Sequence, residues 1–219
     1  MKLGMYKKIH EIIDYIYDLK YGVKTGKYMI LKENRSIHNN YEPTVYLELR
    51  KLFSKYPFKS NDHIIDYGCG KGRVLVAAAL KMCPQITGIE INKEMYDIAL
   101  DNIIKFKQKK KTTSEISVIN MDAKDFKSLD EINKFFFFNP FHLKVFLKIF
   151  TLICSSIKKY PRNVTLFFYM PVKSWVQQVE SSGVFKFVDS IFLKSIASYD
   201  DCEGFGFLIY SNCEYKSKA

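Results

Sequence analysis

Several short segments carry residue types suited to holding a nucleotide-like ligand and doing chemistry beside it. The first is Asp66-Tyr67-Gly68-Cys69-Gly70-Lys71-Gly72-Arg73, in which an apolar run ends in a carboxylate and three alternating glycines. Glycine lacks the Cβ that keeps a ligand off the backbone, and a helix beginning there offers N–H groups with no intrahelical partner. Glu90 follows at the distance where a carboxylate accepts hydrogen bonds from ribose hydroxyls. Asp122 stands in Asn120-Met121-Asp122-Ala123, and Asn139-Pro140-Phe141 follows a run of phenylalanines. A purely structural tight turn, an exposed carboxylate at 90 and a helix cap at 122 are the competing assignments.

Each segment must be positioned by a strand. After Asn61-Asp62 the apolar pattern alternates strands with helices. Strands are predicted over 64–67, 86–91, 116–120, 134–138 and 164–169, and helices over about 73–82, 93–107 and 143–157. This rhythm predicts an α/β fold with a mostly parallel sheet covered on both faces. All four segments then open on one carboxyl edge, where open α/β sheets bind ligands. Residues 185–193 and 205–211 flank a polar connection too short for a crossover helix, which predicts a terminal antiparallel hairpin. Upstream, Ile9, Ile12, Ile13 and Ile16 recur at helical spacing in a first helix ending near Lys20. Its apolar face is expected to dock on the main body, with a membrane surface as the alternative the lysines raise. Residues 22–40 read as a loop or lid, and Glu42-Pro43-Thr44 as the opening of a helix to about Leu52. Residues 1–40 thus form an N-terminal helical extension or lid, and 41–219 the ligand-binding domain.

The remaining composition narrows the function classes. Thirty-four Lys and Arg against 23 Asp and Glu give +11, a field that favours acidic partners. The densest run, Lys107 with Lys109, Lys110 and Lys111, reads as a solvated loop. Cys69, Cys83, Cys154, Cys202 and Cys213 are scattered, without metal-ligand spacing, and read as free thiols of a reducing compartment. Charges interrupt the N-terminal apolar residues, so neither a signal peptide nor a membrane span is expected, and the protein reads as cytoplasmic. Arg73 stands where a dinucleotide fingerprint needs its third glycine, and no Walker phosphate loop is present.

The glycine segment and the three that follow it, in this order over residues 41–211, resemble the motifs of the class I S-adenosylmethionine-dependent methyltransferases. The resemblance implies a Rossmann-like seven-stranded sheet whose last strand is antiparallel. It implies S-adenosylmethionine as cofactor, with Gly68, Cys69, Gly70 and Gly72 against its methionine part and Asp66 fixing that loop and the cofactor's amino group. It further implies Glu90 on the ribose, Ile91 on the adenine face, and Asp122 and Ala123 at the adenine edge. Tyr41-Glu42-Pro43-Thr44 resembles the pre-motif of a subset that includes protein-lysine methyltransferases, where Tyr41 and Thr44 would line the methionine end; a proline-started helix is the competing reading.

Asn139-Pro140-Phe141 is similar to the Asn-Pro-Pro-Tyr/Phe motif of amino-group methyltransferases, although it lacks the second proline. By that likeness the Asn139 side chain and the Pro140 carbonyl would orient the acceptor nitrogen, and Phe141 would pack on the substrate. Methyl transfer is an in-line displacement that needs no metal, and catalysis is largely positioning. Tyr41, His142 and Tyr169 are candidate bases. The resulting expectation is a methyltransferase acting on nitrogen in a protein side chain or nucleic-acid base. A small-metabolite methyltransferase and a non-catalytic cofactor- or nucleic-acid-binding protein are the alternatives.

Overall fold

A computed structural model describes residues 3–26, 41–192 and 205–213. Most of the expected lid, together with Ser198, Asp200, Asp201 and Cys202, lies outside the described residues. The elements run α1 (Leu3–Tyr21), α2 (Tyr46–Lys55), β1 (His63–Tyr67), α3 (Arg73–Leu80), β2 (Gln85–Glu90), α4 (Lys93–Lys109) and β3 (Glu115–Asn120). They continue with β4 (Lys134–Phe137), α5 (Leu143–Lys159), β5 (Thr165–Tyr169), α6 (Lys173–Ser181), β6 (Lys186–Phe192) and β7 (Phe205–Ser211).

The strands form one seven-stranded sheet in the order β3-β2-β1-β4-β5-β7-β6. The first five strands are parallel, and β7 is antiparallel to both β5 and β6. The terminal hairpin is thus present, with its second strand inserted next to β5. Because strand order reverses between β1 and β4, the loops leaving those strands diverge and leave a crevice at their carboxyl ends. The parallel register brings Tyr67 beside Ile89 and Phe137, and Glu90 beside Asn120, so the predicted motif segments begin at one level.

The phenylalanine run shows why β4 is central. Phe136 faces the core beneath α2 and α3, whereas Phe135 and Phe137 face the core made with α5 and α6. That is the two-residue alternation of a strand buried on both faces.

Two expectations are corrected. First, α2 begins at Tyr46, not at Glu42-Pro43-Thr44, and the residue before it, Val45, is extended. Glu42, Pro43 and Thr44 instead line a cavity, and the Thr44 carbonyl accepts from Arg73 Nη1 at 3.2 Å. The N-terminus of α2 is satisfied from α1, where Asp14 Oδ1 accepts from the Tyr46 N–H at 3.0 Å. Second, most of the isoleucine face of α1 does not dock, Ile13 alone of the four being half-buried. The inward face carries Asp14, Asp18, Tyr17 and Tyr21, with Tyr17 stacked on Tyr46 at 4.8 Å, while Ile9, Ile12 and Ile16 are exposed. A buried guanidinium on α3 outcompetes the apolar residues for the contact. Helix α6, not anticipated, packs through the buried Trp175 and Val179, with Val176 partly buried beside them.

Candidate active site

The carboxyl edge of the sheet holds a cavity bordered by every predicted motif segment. It is lined by Tyr41, Thr44, Asp66, Gly68, Cys69, Gly70, Glu90, Ile91, Asp122, Ala123, Asn139, Pro140 and Phe141. Gly72, predicted with them, instead ends the loop as the cap of α3 and faces Ala99. Sequence reasoning missed the role of Glu42, Phe138, Met95 and Met121, which also border the cavity. Phe138 was readable only as the end of a buried strand; one residue past β4, its ring meets Tyr169 edge-on at 4.6 Å.

The glycine loop is held from three sides. Its backbone is tied to β2, since the Gly68 and Cys69 N–H groups both donate to the Ile89 carbonyl at 2.9 and 3.0 Å. Gly68 (φ 75) and Gly70 (φ 52) are left-handed, and a Cβ on them would come within 2.4 Å of Pro140 and 2.2 Å of the Tyr41 ring. Only glycine therefore lets the loop touch both the pre-motif and the Asn-Pro-Phe turn.

The third side is the N-terminal helix. Arg73, buried at the start of α3, donates from Nε to Thr25 Oγ1 at 2.8 Å, from Nη1 to the Thr44 carbonyl at 3.2 Å, and from Nη1 to Asp14. Asp18 in turn accepts from the Thr25 and Gly26 N–H groups at 2.8 and 2.9 Å. Tyr41 O–H donates to the Thr25 carbonyl at 2.7 Å, and Lys71 Nζ to that of Gly26 at 3.0 Å. Burial outweighs Arg73 in raising the Asp14 carboxyl, so this is a desolvated pair held by geometry.

Glu90 is buried, which removes the exposed-carboxylate assignment. Its Oε2 accepts from the Gly70 N–H at 2.9 Å and its Oε1 from the Asn92 N–H at 2.8 Å. Each carboxylate oxygen has a second lone pair for a ligand hydroxyl. Burial raises Glu90, opposed by those N–H groups, and raises Asp66 further, with Glu90's charge adding to the effect. Asp122 does cap the short turn Ala123–Asp125, accepting from the Lys124 N–H at 3.2 Å, while it borders the cavity.

At the other end, the tips of β4 and β5 both turn left-handed, with Asn139 at φ 40 and Met170 at φ 46. Asparagine tolerates that region and methionine does not, so the Met170 strain is sustained by its surroundings. Asn139 Nδ2 donates to the Met170 carbonyl, which fixes the amide's orientation and turns Oδ1, an acceptor-only atom, to its other side. Phe141 is buried and stacks on Trp175 at 5.4 Å. Tyr169 O–H donates to Glu48; burial first, then the Glu48 charge, pushes its phenol far above the ordinary value. Burial does the same to Tyr41. Both phenols are therefore donors, which removes them as candidate bases.

The acceptor set fits a cationic adenosyl ligand. Two desolvated carboxylates, Asp66 and Glu90, face a cleft whose apolar rim includes Ile91 and Met95. Residues 58–162 match a family model described as a methyltransferase domain. Over that segment, with the fold and the site, the chain carries a domain of the class I methyltransferase type, whose cofactor is S-adenosylmethionine.

A curated relative, the histone-lysine N-methyltransferase specific for lysine 79 of histone H3 from Dictyostelium discoideum, is 27% identical over 164 residues. The match covers 70% of this chain but only 9% of that protein's length. Among solved structures, the N-methyltransferase NodS of Bradyrhizobium japonicum WM9 superposes with a TM-score of 0.57 at 15% identity, covering 77% of this chain and 94% of its own. Magnesium protoporphyrin IX methyltransferase of Synechocystis PCC 6803, solved with bound cofactor, gives 0.51 at 11% identity, covering 76% and 77%. These likenesses show a shared fold. Among the described residues no helix is long and apolar enough to cross a membrane.

Proposed function

We propose that the chain transfers a methyl group from S-adenosylmethionine to a nitrogen acceptor, an amine of a protein side chain being the reading the site supports best. The observation that carries it is the Asn139 amide, held by the Met170 carbonyl on the wall of the cavity that the glycine loop also lines. The curated relative and one solved structure are, by their names, nitrogen methyltransferases.

In this reading Glu90 holds the ribose, Ile91 and Ala123 border the adenine, and Asp122 accepts from its amino group. Asp66, Gly68, Cys69, Gly70, Tyr41 and Thr44 surround the methionine part. The bound cofactor supplies an electrophilic methyl on a sulfonium. Asn139 Oδ1 and the Pro140 carbonyl accept the acceptor's N–H groups and aim its lone pair, a positioning effect of the kind that dominates such displacements. Phe138 provides an apolar wall that excludes water, while the buried Phe141 supports the turn through Trp175. Glu42 borders the same cavity and its charge reaches Tyr169, so it draws an ammonium to that end. An amine entering an apolar site loses its proton more readily, because desolvation disfavours the charged form.

Incubation of cell extract with methyl-labelled cofactor, followed by protease or nuclease digestion and amino-acid analysis, tests this reading. Label recovered as methylated amino acid is the expected result. Label confined to nucleosides or to low-mass metabolites would redirect the acceptor assignment, and no transfer by protein that binds cofactor would overturn catalysis.

A further inference from the structure

The outer face of α1 has no role in the site, yet it carries five of the twelve large hydrophobic side chains exposed among the described residues. Ile12, Tyr15, Ile16 and Leu19 are 59, 63, 55 and 61% exposed and follow one another at helical spacing. Their helix cannot roll to bury them, because its opposite face is pinned through Asp14 and Asp18 to Arg73, Thr25 and Tyr46. The stripe is thus a fixed feature of the surface.

The lysine run of α4 meets the C-terminal end of the same helix. Tyr21 packs against Phe106 at 5.9 Å, the Lys24 N–H donates to Asn102 at 2.7 Å, and a Cβ on Gly22 would lie 3.3 Å from the Lys109 side chain. The C-terminal end of α1 is therefore surrounded by exposed Lys20, Lys24, Lys109, Lys110 and Lys111, with Lys8 exposed near the other end and Glu11 as an exposed acid on the helix. Aliphatic side chains flanked by lysine amines match the layering of a bilayer surface, acyl chains beneath anionic headgroups. A nucleic acid would gain nothing from isoleucine and leucine. A second copy would set one basic rim against another.

We infer that the outer face of α1, with the lysines at the α4 end, is a docking surface for membranes bearing anionic lipid headgroups. This inference is independent of the acceptor assignment.

Flotation of the full chain with phosphatidylcholine vesicles, with and without about 30% phosphatidylglycerol, tests it. At least about tenfold stronger association with the anionic vesicles, weakening as salt is raised, is the expected result. Ile16→Ser with Leu19→Ser should lose about tenfold or more of that association while cofactor affinity and Tm stay at the parental values. Lys109→Glu with Lys110→Glu should abolish the preference for anionic lipid. Equal or absent association of the folded parent with both vesicles would overturn the inference. So would a concentration-dependent dimer, or RNA binding, that the same Ile16 and Leu19 substitutions remove.

Discussion

At one end of the cleft, Glu90 takes N–H groups from Gly70 and Asn92, and Arg73 binds Thr25, Thr44 and Asp14. At the other, two left-handed residues at neighbouring strand tips, one amide and a set of aromatic rings do the shaping. The first end, assigned to the cofactor, is over-determined by directional bonds that any adenosyl ligand would meet in the same way. The second, assigned to the acceptor, rests on backbone strain and side-chain shape, which change with few substitutions. The contrast suits an enzyme class in which one cofactor serves many acceptors.

The sharpest way to break this contrast is Arg73→Ala, which leaves the largely buried Asp14 without its cation. Removing one partner of a buried pair costs about 3–5 kcal/mol, so the urea midpoint should fall steeply and cofactor affinity with it. A neutral outcome would mean that α1 does not support the glycine loop. Asn139→Ala acts on the opposite end and should lower kcat by roughly a hundredfold, the scale of a misplaced acceptor, while leaving cofactor Kd within about twofold. Were Kd to rise in parallel, the two ends would not be separable. Glu90→Gln should weaken cofactor binding by about 1–3 kcal/mol, read by calorimetry, because one oxygen acceptor becomes an N–H donor facing Gly70 or Asn92.

The smallest effect is one of pH. Burial holds Asp66 and Glu90 above their ordinary values of 3.8 and 4.5. A carboxyl raised in the folded state binds its proton more tightly there. Its stabilising contribution is therefore full below the unfolded value and is lost as pH rises through the folded one. Ligand-free protein should lose stability upward from about pH 4, and a cationic ligand, which selects the ionised pair, should restore more Tm at about pH 8 than at about pH 5. A Tm increment that shrinks across that range would contradict the assignment of these carboxylates to the ligand.

What could be read in advance divides along the same line. The strand–helix alternation, the glycine loop and Glu90 are local patterns, and their boundaries moved by only a residue or two at β1, β2 and β4. The start of α2 moved further, because Glu42, Pro43 and Thr44 follow the cavity wall, a tertiary demand invisible to capping rules. Arg73 was legible as a residue after the glycines but not as the counter-ion of Asp14, since periodicity on α1 pointed to its isoleucines. Phe138 and Met170 carry no pattern of their own, and the left-handed turn at Met170 contradicts its side chain's preference. Helix α6 escaped notice because its inward residues, Trp175, Val176 and Val179, span little more than one turn, too short to set a period.

The ion pair between Asp14 and Arg73 also orders events during synthesis. The partners are 59 positions apart, so at about 5–20 residues per second a ribosome needs about 3–12 s to deliver the guanidinium after the carboxylate. Through that interval Asp14 lacks its cation, although its partner Tyr46 and the partners of Asp18, Thr25 and Gly26, have already been made. Its capture then reports that the glycine loop has emerged and closed.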